Sequence, residues 1–83
     1  MASVTKLLGS ETDLTSATNV GFAKLLRVYN SGSAAAVTQK NAGGTTLATV
    51  TLAAGEILHI QKAPSDTLEG GAAFKVVSVA FTN

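Results

Sequence analysis

Hydrophobic and polar residues alternate along five short segments of the chain, at residues 23–30, 35–40, 45–52, 56–62 and 74–82. A period of two is the pattern of β-strands that turn alternate side chains towards a core. Gly, Ser and Asn clusters separate the segments, as the turns of sandwiches and small barrels do at intervals of about 8–12 residues. The pattern predicts an all-β fold, a single antiparallel β-sandwich or flattened barrel of about six to eight short strands.

Each segment carries one set of alternating residues that we assign to the core. These residues are Leu26 and Val28, then Ala48, Val50 and Leu52, then Leu58 and Ile60, and finally Val77, Val79 and Phe81. The opposite faces of the strands should then be polar. A shift of one residue in strand register would exchange the two faces of a strand, because successive side chains point to opposite sides.

The opposite faces instead carry six more large apolar side chains, Leu25, Tyr29, Leu47, Ile57, Phe74 and Val76. Two interpretations stay open. Either residues 1–22 or a loop cover these side chains within one subunit, or they form an exposed apolar patch of the kind that marks an interaction surface. On the second interpretation the contact centres on Leu25, Tyr29, Ile57 and Phe74, and residues 1–22 reach a neighbouring subunit.

The chain divides into an N-terminal arm or first strand, residues 1–22, and a sandwich core, residues 23–83, within one domain. The stretch KAPSDTLEGG contains Pro64, the only proline in the chain. Proline cannot donate a hydrogen bond to a strand ladder, so the preceding strand should end before it. Pro-Ser-Asp favours a type I turn, which predicts a corner of the fold at this position.

The composition narrows the classes of partner. A domain of 83 residues has a small core that usually needs additional stabilisation, and without cysteine this chain cannot obtain it from disulfides. Oligomerisation, or docking on a larger protein, is therefore favoured. Charged residues make up 13% of the chain, against about 25% in an average soluble domain. The net charge of +1 does not mark a nucleic-acid binder, and no apolar run is long enough to span a membrane. The N-terminus does not resemble a signal peptide, which predicts synthesis in the cytoplasm.

The sequence contains few residues of the types that catalyse reactions or bind metal ions. The single histidine, His59, alternates with Leu58 and Ile60 and is best interpreted as a surface or interface residue. The NAGGTT segment lacks the lysine of a phosphate-binding loop, and its glycines indicate a hairpin turn. The acidic residues do not follow calcium-loop spacing. We therefore expect no catalytic residues, no metal site and no cofactor.

One resemblance covers much of the chain, residues 24–68. Three features follow one another along the chain: the segment RVYNSGSAAAVT, a Gly-Gly turn, and the segment TVTLAAGEILHIQKAPSDTL. This order resembles small virion structural proteins of tailed bacteriophages, especially those that infect marine bacteria. In those proteins a strand ending in Asn-x-Gly leads to a TLAAGE turn and then to a strand ending in Lys-x-Pro-x-Asp-Thr.

The resemblance implies a non-enzymatic accessory protein of the phage particle and supplies no catalytic residues. We expect a capsid decoration or cement protein that is made in the host cytoplasm and lies on the surface of the virion. Its partners would be the major capsid protein or other virion proteins, and it would form a homo-oligomer, with a trimer as one option. We expect no nucleic-acid or membrane partner. The alternative is a tail or tail-fibre module that contacts carbohydrate or the host surface, although such readers usually expose more aromatic residues than this chain contains.

Overall fold

The computed structural model describes residues 4–82, with the side chains of residues 4–81. It contains eight strands: β1 (Val4–Leu7), β2 (Thr12–Leu14), β3 (Leu25–Asn30), β4 (Ala35–Lys40), β5 (Thr46–Leu52), β6 (Ile57–Gln61), β7 (Thr67–Glu69) and β8 (Gly71–Thr82). None of the described residues forms a helix of the length and apolarity that crossing a membrane requires.

The strands form two antiparallel sheets. In the five-stranded sheet, β1 and β2 pair with β8, β8 pairs with β3, and β3 pairs with β6. In the three-stranded sheet, β4 lies between β5 and β7. The sheets pack into one β-sandwich, so the predicted all-β fold is confirmed.

The core lies between the two sheets and is built almost entirely from aliphatic side chains. Its largest fully buried members come from both sheets and from the N-terminal segment: Leu14, Leu26, Val28, Val37, Leu52, Leu68, Phe74 and Val76. Leu58 and Ile60 pack against this cluster while remaining partly exposed. The predicted core positions in β3 and β6 therefore face inward.

Strand β8 presents the opposite face from the one we predicted. Its register with β3 sets Val76 opposite Val28 and Phe74 opposite Asn30, so Phe74 and Val76 point into the core. The assignment of Phe74 and Val76 to the second face was wrong, and Phe81, which we assigned to the core, is exposed. Val77 and Val79 are buried as predicted, but they lie outside the main core cluster. Both alternating sets of β8 are apolar, so only the pairing of β8 with β3 decides between them.

Strand β5 differs from its prediction in burial. Ala48 and Val50 share a face with Leu52, but only Leu52 is buried, whereas Val50 is exposed. The register places Val50 opposite the buried Val37 of β4. The inner face of β5 is therefore apolar as predicted, but the sandwich is open along this strand.

The N-terminal segment folds back on its own subunit. Strands β1 and β2 follow the edge of β8, and the backbone of Thr18 exchanges hydrogen bonds with that of Leu68 in β7, at 3.1 and 2.9 Å. Leu14 and Val20 enter the core. Residues 4–22 therefore pack on their own subunit, although Ile57 of the predicted patch stays exposed.

Pro64 lies at a corner, as predicted. Strand β6 ends at Gln61, and the Asp66 N–H donates to the Ala63 carbonyl at 3.0 Å, which closes a turn around the proline. The chain then enters β7 in the other sheet.

Asn30 joins the two sheets where the chain crosses between them. It ends β3 and is fully buried, and its Nδ2 lies 2.9 Å from the carbonyl oxygen of Ser33, 3.1 Å from that of Leu52 and 3.3 Å from that of Ala53. Its Oδ1 accepts from the Gly32 N–H at 3.0 Å. One amide therefore satisfies backbone groups on both the β3–β4 and the β5–β6 connections.

We predict that Asn30→Ala lowers the free energy of unfolding by about 2–4 kcal/mol, because several buried backbone groups lose their partner at once. Urea denaturation followed by circular dichroism measures this. Asn41→Ala is the matched control, since the Asn41 Oδ1 caps an exposed turn at Gly43 and Thr45. It should cost about 1 kcal/mol or less. Equal losses in the two variants would contradict the role of Asn30.

Candidate apolar contact site

The outer face of the five-stranded sheet, which points away from the three-stranded sheet, is unusually apolar. On β3 it carries Leu25, Arg27 and Tyr29, which alternate with the buried Leu26 and Val28. On β6 it carries the register partners of those three residues, which are Gln61, His59 and Ile57. On β8 it carries Lys75, Val77, Val79 and Phe81.

The centre of this outer face is covered by the chain itself. The rings of His59 and Phe81 meet edge to face with centroids 5.0 Å apart. Because β6 and β8 flank β3, this contact reaches across β3. Val77 and Val79 are only 4% and 2% exposed, although they point away from the main core. The centre of the outer face is thus a second, small apolar cluster.

Charged groups border this cluster. The Arg27 guanidinium lies 5.7 Å from the centre of the Tyr29 ring, within the range of a cation–π contact. Its Nη1 is 3.7 Å from a carboxylate oxygen of Glu11. These contacts keep Tyr29 half-buried and leave it little free surface.

The six predicted interface residues do not form one patch. Leu25, Tyr29 and Ile57 share the outer face, and of these only Ile57 is exposed. Leu47 is exposed at an irregularity of β5, on the other sheet. Phe74 and Val76 lie in the core and offer no surface for a contact.

An apolar opening lies beside the end of β8. Leu26 pairs with Ser78, so β8 extends four residues past its contact with β3, and among the strands that the structure describes these residues pair only with β1. An open groove of about 570 Å³ runs along this unpaired side. We call it the β8 groove and define it by its large apolar side chains, Leu8, Phe22, Leu25, Val79 and Phe81.

A strained turn holds Phe22 at the rim of the β8 groove. Val20, Gly21 and Phe22 have φ values of 54°, 67° and 59°, which place three successive residues in the left-handed region. For valine and phenylalanine this costs on the order of 1 kcal/mol each. The turn leaves Phe22 65% exposed. A strained backbone that exposes an aromatic ring is a feature commonly associated with a functional contact.

The buried ammonium of Lys62 clamps this turn. Its Nζ donates to the carbonyls of Asn19 and Ala23 at 2.9 and 2.7 Å, on either side of the left-handed residues. It also lies 3.4 and 3.3 Å from the carbonyls of Ala63 and Pro64. The turn that presents Phe22 is therefore anchored to the corner at Pro64.

Burial lowers the pKa of the Lys62 ammonium below its ordinary value of 10.5, and the carboxylate of Asp66 partly opposes this shift. The carbonyl oxygens around Nζ replace the water that the charge loses, so the ammonium can be held in a nearly closed site.

Sequence reasoning missed Phe22 and Leu8 because neither belongs to an alternating segment. The local signals of this turn were Gly21, directly before Phe22, and the side chains of Thr18 and Asn19, which accept hydrogen bonds from the N–H groups of Val20 and Phe22. Phe81 was assigned to the core because it shares a face with Val77 and Val79. The chemistry of the site is apolar contact. Among residues 4–82, no three His, Asp or Glu side chains are grouped so that they could hold a metal ion.

Comparisons of the chain with known protein families, with curated proteins and with solved structures found no match.

The two phenylalanines of β8 test the assignment of its faces. Phe74 is 1% exposed and Phe81 is 44% exposed. We predict that Phe74→Ala lowers the free energy of unfolding by about 3–5 kcal/mol, the usual cost for a core phenylalanine. Phe81→Ala should cost about 1 kcal/mol, the scale of its edge-to-face contact with His59. Urea denaturation compares the two variants, and a greater loss for Phe81→Ala would mean that the faces are exchanged.

Lys62→Met keeps the aliphatic stem but removes the donor, and we predict a loss of about 2–3 kcal/mol in the free energy of unfolding. The loss should depend on pH. Since the folded pKa is lowered, the unfolded chain holds the proton more tightly, and the stability of the wild type rises as pH approaches 10.5 from below. The difference between wild type and variant should therefore widen over that window in pH-dependent denaturation. A difference that narrows would contradict the direction of the shift.

Proposed function

We propose that this protein is a non-enzymatic structural protein of a tailed bacteriophage, a decoration or cement protein that binds the head lattice through the β8 groove. The observation that carries the proposal is the exposed Phe22 on its clamped, left-handed turn, next to the exposed Leu8 and Phe81. Solvent exposure of these side chains has no benefit for the isolated fold. Their burial against a partner would be favourable by about 1.5–3 kcal/mol for each fully covered side chain.

The geometry of the groove suits a rigid contact. Phe22, from the turn before β3, and Phe81, from β8, line the same groove. Aromatic anchors held in place before binding lose little conformational entropy and tend to dominate interface energetics. The unpaired side of β8 adds backbone groups that an extended segment of a partner could bond.

The composition supports the same proposal. A chain with 13% charged residues and a net charge of +1 has few charges to desolvate when its surface is covered. In residues 24–68 the strand and turn segments follow the order found in small virion proteins of tailed phages. This resemblance points to the major capsid protein or another virion protein as the partner. The protein would be made in the host cytoplasm and would become part of the particle surface.

We expect purified particles of the encoding phage to contain this protein at a copy number proportional to that of the major capsid protein. Quantitative mass spectrometry of virions measures this ratio. A few copies per particle would overturn the decoration role and favour a position in the tail. Absence from the particle would overturn the virion role altogether.

The β8 groove can be tested separately on particles that lack the protein, to which purified variants are added. Phe22→Ser should reduce binding at least about tenfold, the effect of losing 1.4 kcal/mol of contact. Leu47→Ser is the matched control, because Leu47 is similarly exposed but lies on the other sheet. Both variants should unfold at the same urea concentration as the wild type. If only Leu47→Ser lost binding, the contact surface would lie outside the β8 groove.

A further inference from the structure

Strand β5 is an edge strand of the three-stranded sheet and lacks the features that normally protect such strands from pairing with another chain. Within residues 4–82 it pairs only with β4, and six of its seven residues are exposed. Its sequence, TLATVTL, contains no charged residue and no proline. Natural edge strands normally carry lysine, proline or a cover, because an exposed ladder of N–H and C=O groups pairs readily with another chain.

An apolar cleft opens beside this edge, between the two sheets. Its volume is about 130 Å³, and it is lined by Val37, Gln39, Ala48, Thr49, Val50, Leu58, Ile60 and Leu68. A closed apolar cavity of about 150 Å³ can hold a benzene molecule, so this slightly smaller cleft has room for one branched aliphatic side chain. Away from this edge, Thr18 of the N-terminal segment forms a bridge to Leu68 of β7.

We propose that β5 pairs with β5 of a second copy of this chain, in antiparallel register about a two-fold axis at Thr49. The two three-stranded sheets then form one continuous six-stranded sheet. This inference rests on the edge and the cleft, and it does not depend on the proposed role in the phage particle.

The register follows from the side chains of β5. An axis at Thr49 sets Val50 of each copy opposite Ala48 of the other, on the inner face beside the cleft. The larger side chain thus meets the smaller one, and each Val50 lies at the mouth of its partner's cleft. On the outer face the two Thr49 side chains meet, a favourable cross-strand pair. An axis at Ala48 would instead set Val50 opposite Thr46, which lies beyond the irregularity at Leu47 and does not share the inner face of Ala48 and Val50.

The charge and the length of β5 determine how tightly we expect the two copies to bind each other. Since β5 has no charges, two copies can approach without repulsion, and no charged group needs to be desolvated. An edge of seven residues buries less area than the roughly 1,200–2,000 Å² of a standard stable interface. We therefore expect a dimer with a dissociation constant in the micromolar range, about 1–100 μM.

Cysteine cross-linking tests the register, because the natural chain has no cysteine. In Thr49→Cys the two Cα atoms at the axis would lie about 4.5–5.5 Å apart, within the reach of a disulfide. Thr51→Cys is the matched control, since Thr51 would face Leu47 of the other copy. Its own symmetry mate would then be four residues away, about 13 Å, too far for a disulfide. Both positions are exposed threonines on the same face of β5.

Both variants are incubated at about 100 μM, the upper end of the expected range, in a glutathione redox buffer and analysed by non-reducing electrophoresis. We expect Thr49→Cys to form a disulfide dimer at least about tenfold faster than Thr51→Cys. Equal rates would overturn the register. Sedimentation equilibrium of the wild type gives the second measurement: a concentration-dependent dimer that Thr49→Lys abolishes supports the proposal. A wild type that stays monomeric up to about 1 mM would overturn it.

Discussion

The side-chain amide of Asn30 holds the two sheets of this sandwich in register with each other. The chain crosses from the five-stranded to the three-stranded sheet directly after Asn30, and it returns through the turn at Gly55 and Glu56. The backbone of Asn30 bonds to both of those residues, at 2.8 and 3.0 Å, while its side chain bonds to the ends of both connections. A buried amide with fully satisfied partners specifies one arrangement, because any shift of one sheet would leave several groups unpaired.

A second buried polar group controls the corner where the chain leaves β6. The ammonium of Lys62 joins the N-terminal turn at residues 19–23 to the corner at Pro64. This clamp helps to hold Val20 and Phe22 in a left-handed conformation that neither residue favours, together with hydrogen bonds from their N–H groups to the side chains of Thr18 and Asn19. The apolar core supplies most of the driving force for folding, whereas Asn30 and Lys62 determine how the connecting loops are placed.

Both proposed contact surfaces lie where strand pairing stops. The β8 groove runs beside the last four residues of β8, which pair with one described strand only, and the cleft opens beside the edge of β5 that no described strand pairs with. At both places an apolar lining lies next to a strand edge. Elsewhere the N-terminal segment joins the two sheets through the bridge between Thr18 and Leu68. At an unpaired strand edge of a small sandwich, another chain can add a strand and so extend the sheet.

The alternation of residues was sufficient to predict the all-β class, the positions of β3 to β6 and the corner at Pro64, because these depend on local periodicity and turn chemistry. It could not assign the faces of β8, where Phe74, Val76, Val77 and Val79 make both faces apolar. That choice depends on the pairing of β8 with β3, a contact between residues more than forty positions apart in sequence. The same holds for Phe22 in the β8 groove. Its exposure results from a left-handed turn that Lys62 stabilises from the far end of β6, and no local pattern records a contact at that distance.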